Sequence, residues 1–218
     1  MTIRLWHCGG ARSLRPLWTL EELGLNYELV VLPFPPRVFD RSFLDINSLG
    51  TVPYFTDGEI EMTESVAICQ YFAERHASLA LSLPREHPDY PAYLNWLHQA
   101  DATLTFPQTI VLRYTVLEPG PEKAAVAEDY ARWFVARLRR LDAHLMEHDY
   151  LVDGRFTVAD IAVGYALYLG RTLGLDERYQ PGTRAYLERL LERPALRRAE
   201  AMAPPLSLPG NDSKGKES

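Results

Sequence analysis

Strand-forming patterns occur only in the first third of this chain, and a proline-studded stretch separates them from a remainder that reads as helix. That asymmetry constrains the fold more than any other feature. Ile3 and Leu5 alternate with Thr2 and Arg4, which predicts a strand over Thr2–Trp6. Cys8 to Arg12 is a glycine-containing loop. Leu14, Leu17, Trp18 and Leu20 then recur at helical spacing over Ser13–Leu23, with Gly24 as the stop. "YELVVL", Tyr27–Leu32, is a second strand, and its continuous apolar run predicts burial on both faces beside a parallel neighbour. "PFPP", Pro33–Pro36, predicts a stiff loop that is neither helix nor central strand. A short helix over Phe39–Ile46 leads to a hairpin that turns at Asp57-Gly58, and Ser65–His76 is helical. The order is βαβαββα.

"LPREHPDYP", with Pro84, Pro88 and Pro91, reads as a linker. Beyond it the patterns predict a long helix over Tyr93–Val116 kinked at Pro107, and a second over Glu122–Glu147. Val158–Leu173 is apolar enough for a central buried helix, and Gly182–Leu191 and Pro194–Met202 are shorter helices. The expected organisation is an α/β domain over residues 1–80, an all-α domain over 88–203 and a disordered tail over 204–218. A length of 218 residues is enough for two small cores.

The formal net charge of -6 gives no electrostatic footprint for nucleic acid, so no nucleic-acid partner is expected. No apolar run approaches the roughly 18 residues of a membrane span, so no membrane partner is expected either. The opening "MTIRLWHCGG" reads as a strand rather than a signal peptide. Cys8 and Cys69 form neither a disulfide framework nor a metal-ligand spacing, so no metal is expected and a reducing cytoplasm is the natural compartment.

Three short motifs sharpen this picture: Thr51-Val52-Pro53 ahead of the hairpin, Thr63-Glu64-Ser65 at the mouth of the next helix, and Phe156-Thr157-Val158-Ala159-Asp160-Ile161 before the apolar helix. In the last, Thr157 and Asp160 can form a capping box, with Phe156 and Ile161 as the hydrophobic staple. With the element order, these motifs resemble the cytosolic glutathione transferases over about Thr2 to Met202, and "ARSLRPLWTLEELGLNYE" and "NSLGTVP" are similar to bacterial members. The resemblance implies a thioredoxin-like N-terminal domain, an all-α C-terminal domain and a homodimer. It implies glutathione as cosubstrate and a small hydrophobic electrophile as the second substrate.

The same resemblance assigns site residues. A cis Val52-Pro53 bond would present the Val52 N–H and C=O to an extended peptide, as an added strand does. Ser65, at a helix N-terminus, would receive the γ-glutamyl carboxylate, and Glu64 its amine. Arg37, with Arg41 as a rival, stands where members bind the glycine carboxylate. Asp101 stands where an acidic residue reaches across the dimer to the γ-glutamyl amine. Phe106, Ile110, Arg113 and Tyr114 could border the electrophile. The residue that activates the thiol is less clear: Trp6 occupies the place of a tyrosine and Arg12 that of a cysteine. Ser13, assisted by Arg12, is the first choice, and Cys8 is its rival. The leading function is a glutathione transferase. The alternatives are a glutathione-dependent isomerase, dehalogenase or etherase, or a non-catalytic glutathione-binding regulatory homologue.

Overall fold

A computed structural model of the protein describes residues 2–76 and 80–206. The N-terminal part runs β1 (Ile3–His7), α1 (Leu14–Leu23), β2 (Tyr27–Val31), α2 (Pro36–Phe39), β3 (Tyr54–Asp57), β4 (Ile60–Met62) and α3 (Ser65–His76). The strands form one sheet in the order β2-β1-β3-β4. β1 pairs parallel with β2, Leu5 opposite Leu29, and antiparallel with β3, Leu5 opposite Phe55. β3 and β4 close the expected hairpin at Asp57 and Gly58. This is the mixed sheet of a thioredoxin-like domain.

Two expectations change here. β2 is an edge strand and only half-buried, so its apolar run does not mark burial on both faces. Pro36 begins a short helix instead of ending a loop, because the first helical position needs no backbone N–H. The expected helix over 39–46 therefore divides into α2 and a 3-10 turn over Arg41–Asp45.

The rest is helical: α4 (Tyr90–Gln99), α5 (Phe106–Leu112), α6 (Pro121–Arg137), α7 (Arg139–Leu145), α8 (Val158–Thr172), α9 (Pro181–Leu191) and α10 (Pro194–Ala201). The expected long helix over 93–116 begins earlier and is interrupted twice by π-helical turns, at Ala100–Thr105 and Arg113–Leu117. Pro107 falls in the first turn of α5, directly after the wider π turn, where a missing N–H is tolerated. The helix expected over 122–147 divides at Leu138 into α6 and α7.

α8 is the central post, buried along nearly its whole length. Its start follows the sequence closely. Thr157 Oγ1 accepts from Ala159 N at 3.2 Å, and Asp160 Oδ2 accepts from Thr157 N at 2.8 Å. Asp160 Oδ1 also accepts from Leu151 N at 3.1 Å and from the Tyr186 hydroxyl at 2.7 Å. The cap thus ties α8 to α9 and to the loop before it. Burial pushes the Asp160 carboxyl up to about 6, against the pull of these donors.

α1 packs against α3, α8 and α10, so one core runs through both parts. Trp18 of α1 packs at a tilt against Phe156, with ring centroids 5.7 Å apart. A second small core on the other face of the sheet joins Trp6, Phe43 and Tyr54, which gives Trp6 a packing role. The tail was expected from residue 204. Pro204 to Leu206 instead lie against the Gly9–Gly10 loop, and residues 207–218 lie outside the described residues.

Candidate functional site

A cleft of about 410 Å³ opens where the sheet's loops meet α5 and α8. Val52 and Pro53 form one side, and the peptide bond between them is cis. The antiparallel ladder with β1 begins at Tyr54, so Val52 stands just ahead of the ladder. Glu64 and Ser65 stand at the N-terminus of α3, and Arg37 comes from α2. Arg12, from the turn that leads into α1, completes the set. The cleft therefore gathers Arg12, Arg37, Val52, Pro53, Glu64 and Ser65 from four separate segments. Arg41 is not among its lining residues.

Beneath Ser65 lies a residue the sequence reading missed. Arg15 is 0% exposed. Its Nη1 donates to Ser65 Oγ at 3.0 Å and pairs with Asp101 Oδ1 at 2.5 Å. Its Nη2 donates to Thr105 Oγ1 at 2.9 Å, and its Nε to the Ala162 carbonyl at 3.1 Å. The guanidinium sits over the Tyr165 ring, 4.6 Å from the centroid. A buried cation is tolerable only with such a full set of partners. The first π turn of the helical part supplies both Asp101 and Thr105. Asp101 is thus engaged within its own chain and does not line the cleft. The available signal was a charged side chain in the apolar stripe of α1, next to Leu14 and Leu17.

Ser13 does not reach the cleft. It is fully buried, with its Oγ and His7 Nδ1 sharing a hydrogen bond of 2.8 Å. The same oxygen accepts from Cys8 N at 3.2 Å, so the hydroxyl anchors the end of β1. It caps no N–H of α1 either. The expectation that Ser13 donates to a bound thiolate is corrected by this placement. His7, enclosed by the same packing, is pushed down to about 4 by burial. Cys8 is buried, and loss of solvent pushes its thiol up to about 12, far from the range of a reactive thiolate. Of the residues at the start of α1, Arg12 lines the cleft, and its Nη2 donates to Thr109 Oγ1 of α5 at 3.0 Å.

The far wall differs from expectation as well. Thr109 and Leu112 of α5, with Tyr165 and Leu169 of α8, face the cleft. Phe106 instead packs edge-on against Tyr130 of α6, and Arg113 pairs with Glu118. α5 turns Thr109 and Leu112 to the cleft, so the stripe through Phe106, Ile110 and Arg113 lies on another face. Among the described residues no group of three or more His, Cys, Asp or Glu side chains could hold a metal ion. No helix among them is long and apolar enough to cross a membrane.

Comparison with known proteins agrees with this fold. The family model described as "Glutathione S-transferase, N-terminal domain" matches residues 1–74, and that described as "Glutathione S-transferase, C-terminal domain" matches residues 107–194. The chain is 30% identical over 206 residues to glutathione S-transferase GstB of Escherichia coli, covering 90% of this chain and 96% of that protein. It is 28% identical over 240 residues to protein LigF of a Sphingobium strain, covering 90% and 92%. A sphingomonad glutathione S-transferase solved in complex with glutathione superposes with a TM-score of 0.78 at 26% identity, covering 91% of this chain and 98% of that one. The chain belongs to the glutathione S-transferase family, as a transferase enzyme with that family's N- and C-terminal domains.

Proposed function

We propose that the cleft binds glutathione and that the chain joins it, through its sulfur, to a small hydrophobic electrophile. The observation that carries this reading is the convergence of Val52, Glu64, Ser65 and Arg37 on one cleft. Val52 offers backbone groups to the cysteinyl unit, as an added strand would. Arg15 occupies a lone pair of Ser65 Oγ, which leaves the hydroxyl proton for the γ-glutamyl carboxylate. The first-turn N–H groups of α3 and the buried Arg15 charge favour the same anion. Glu64 accepts from the γ-glutamyl amine, and Arg37 pairs with the glycine carboxylate.

In the reaction the thiolate sulfur attacks an electrophilic carbon and forms an S–C bond. The displaced electron pair leaves with a halide or similar group, or enters a conjugated acceptor. With Ser13 turned inward and Cys8 held as a thiol, Arg12 supplies the positive charge that favours the thiolate. Thiolate absorbance of the bound complex against pH tests this. Arg12→Ala should raise the thiol pKa by about one unit, equivalent to about 1.4 kcal/mol, while Ser13→Ala leaves it in place. A shift in the Ser13 variant alone would reverse the assignment.

A second reading, a glutathione-binding protein without transfer activity, draws support from the withdrawal of both Ser13 and Cys8 from the cleft. It predicts glutathione binding with no thiolate band near neutral pH. A homodimer and a cytoplasmic setting belong to the proposed reading. Phe39 at 67% exposure and Leu49 at 60% present apolar surface beside the Val52-Pro53 loop, suited to a second copy. Light scattering of Leu49→Asp should show loss of the dimer.

A further inference from the structure

We infer that His144 and His148, at the C-terminal end of α7, form a binding site for one divalent transition-metal ion that prefers nitrogen ligands, Cu2+ foremost. The site lies apart from the cleft, none of whose lining residues comes from α7, and it does not depend on the glutathione reading.

The two histidines stand four residues apart in "HLMEH", the spacing that puts two imidazoles on one face of a helix. α7 ends at Leu145, yet its last turn continues: His148 N donates to the His144 carbonyl at 3.1 Å. The rings face each other, with centroids 4.3 Å apart and planes 3° from parallel. Each ring is also held by a backbone carbonyl. His144 Nε2 donates to the Tyr150 carbonyl at 3.2 Å, and His148 Nδ1 donates to the His144 carbonyl at 3.0 Å. A carbonyl only accepts, so these two nitrogens carry the hydrogens. In the neutral rings the lone pairs are therefore at His144 Nδ1 and His148 Nε2, and neither has a polar partner among the described residues. A metal-ligating histidine is oriented in this way, by a hydrogen bond from its other ring nitrogen.

Two imidazoles select the ion. Neutral ring nitrogen suits Cu2+, Ni2+ and Zn2+, with Cu2+ held tightest, and does not suit Mg2+ or Ca2+, which take oxygen. Among the described residues no third His, Cys, Asp or Glu completes a cluster here, so water fills the other coordination positions. His144 is half-buried and packs against Trp96 of α4 with ring centroids 5.8 Å apart, which fixes one ligand. His148 is exposed, and its ring turns out of the parallel stack so that both lone pairs meet one ion. The neighbouring acid is already engaged, because Asp149 pairs with Arg189 at 2.8 Å. The ion thus clips the last turn of α7, beside a tryptophan that reports its arrival.

Cu2+ quenches indole emission at short range, so titration of CuCl2 into the glutathione-free protein, followed by tryptophan fluorescence, tests the site. Wild type should lose part of its emission as the ion binds, and excess Zn2+, which does not quench, should restore it. His148→Ala should raise the quenching midpoint roughly tenfold or more, since a ligand counts for at least as much as the outer partners of a metal site. His144→Ala should do the same. If His144→Ala disturbs the packing at Trp96, His148→Ala decides alone, because His148 is exposed. His98→Ala is the control, two residues from Trp96 on α4, and should quench as wild type does. No quenching in wild type, or an unchanged midpoint in His148→Ala, overturns the inference. A raised midpoint in His98→Ala alone also overturns it, because the ion then sits on α4.

Discussion

The two sides of the cleft are built in opposite ways. The side assigned to glutathione uses backbone and short-range devices: Val52 ahead of β3, and the first turn of α3 with Glu64 and Ser65. The far wall uses side chains from distant segments, Thr109 and Leu112 of α5 with Tyr165 and Leu169 of α8. The first side would hold a constant ligand through backbone groups and one helix start, with Ser65 braced from below by Arg15. The second can change one residue at a time without disturbing the first. Arg15 couples them, because it touches Ser65, the π turn with Asp101 and Thr105, and the Ala162 carbonyl of α8.

That coupling gives the largest expected effect. Asp101→Asn leaves the fully buried Arg15 guanidinium without its counter-charge. Removing one partner of a buried pair costs about 3–5 kcal/mol, and the 29% exposure of Asp101 places this case near the lower end. Chemical denaturation should show the loss, and glutathione affinity should fall with it. A variant as stable as wild type would mean that Arg15 does not depend on Asp101, and the two sides would be independent.

The next effect concerns the buried end of β1, where His7 meets Ser13. His7 is lowered from the ordinary 6.5 to about 4 by burial, so the unfolded chain takes up its proton first as pH falls. Stability present above pH 6.5 is therefore lost progressively toward pH 4, by at most about 1.4 kcal/mol per pH unit. Asp160 acts in the reverse sense: its carboxyl is raised from 3.8 to about 6, and its contribution is lost as pH rises through about 6. The two windows overlap, so the difference between wild type and His7→Gln isolates the histidine. The stability advantage of wild type should shrink from pH 7 to pH 4.5. An advantage that does not vary with pH would contradict a buried neutral His7.

A smaller effect is expected from the cap of α8, whose partners are Leu151 and Tyr186 rather than Arg15 or Ser65. Thr157→Ala should cost about 1 kcal/mol, read as a lower denaturation midpoint with an unchanged slope. Glutathione affinity should stay the same. A loss of affinity here would show that the wall and the peptide side are not separable.

The side assigned to glutathione left local marks in the sequence: a Val-Pro pair, an Asp-Gly turn and a Glu-Ser pair stand within one short segment, and the fold brings the two pairs to one cleft. The cap at Thr157 and Asp160 was legible for the same reason. The other side was not. Nothing in "ARSLRP" distinguishes Ser13, which turns toward His7, from Arg12, which turns toward the cleft. Arg15 carried one mark, a charge within the apolar stretch of α1, but its partners come together only when α8 and the π turn enclose it. The π turns themselves leave no periodic mark, and spacing alone does not show that the face of α5 with Thr109 and Leu112 is the one that meets the cleft. Segments joined over more than 80 residues of separation, as Arg15 and Asp101 are, become visible only in the folded chain.

The central claim is that the α3 N-terminus and the Val52 loop grip one glutathione molecule, and titration of glutathione into wild type and Ser65→Ala tests it most directly. A hydrogen bond to a charged group contributes about 1.5–3 kcal/mol, so the variant should bind roughly tenfold or more weakly. Equal affinity in the two proteins, or no binding by wild type, would contradict the account.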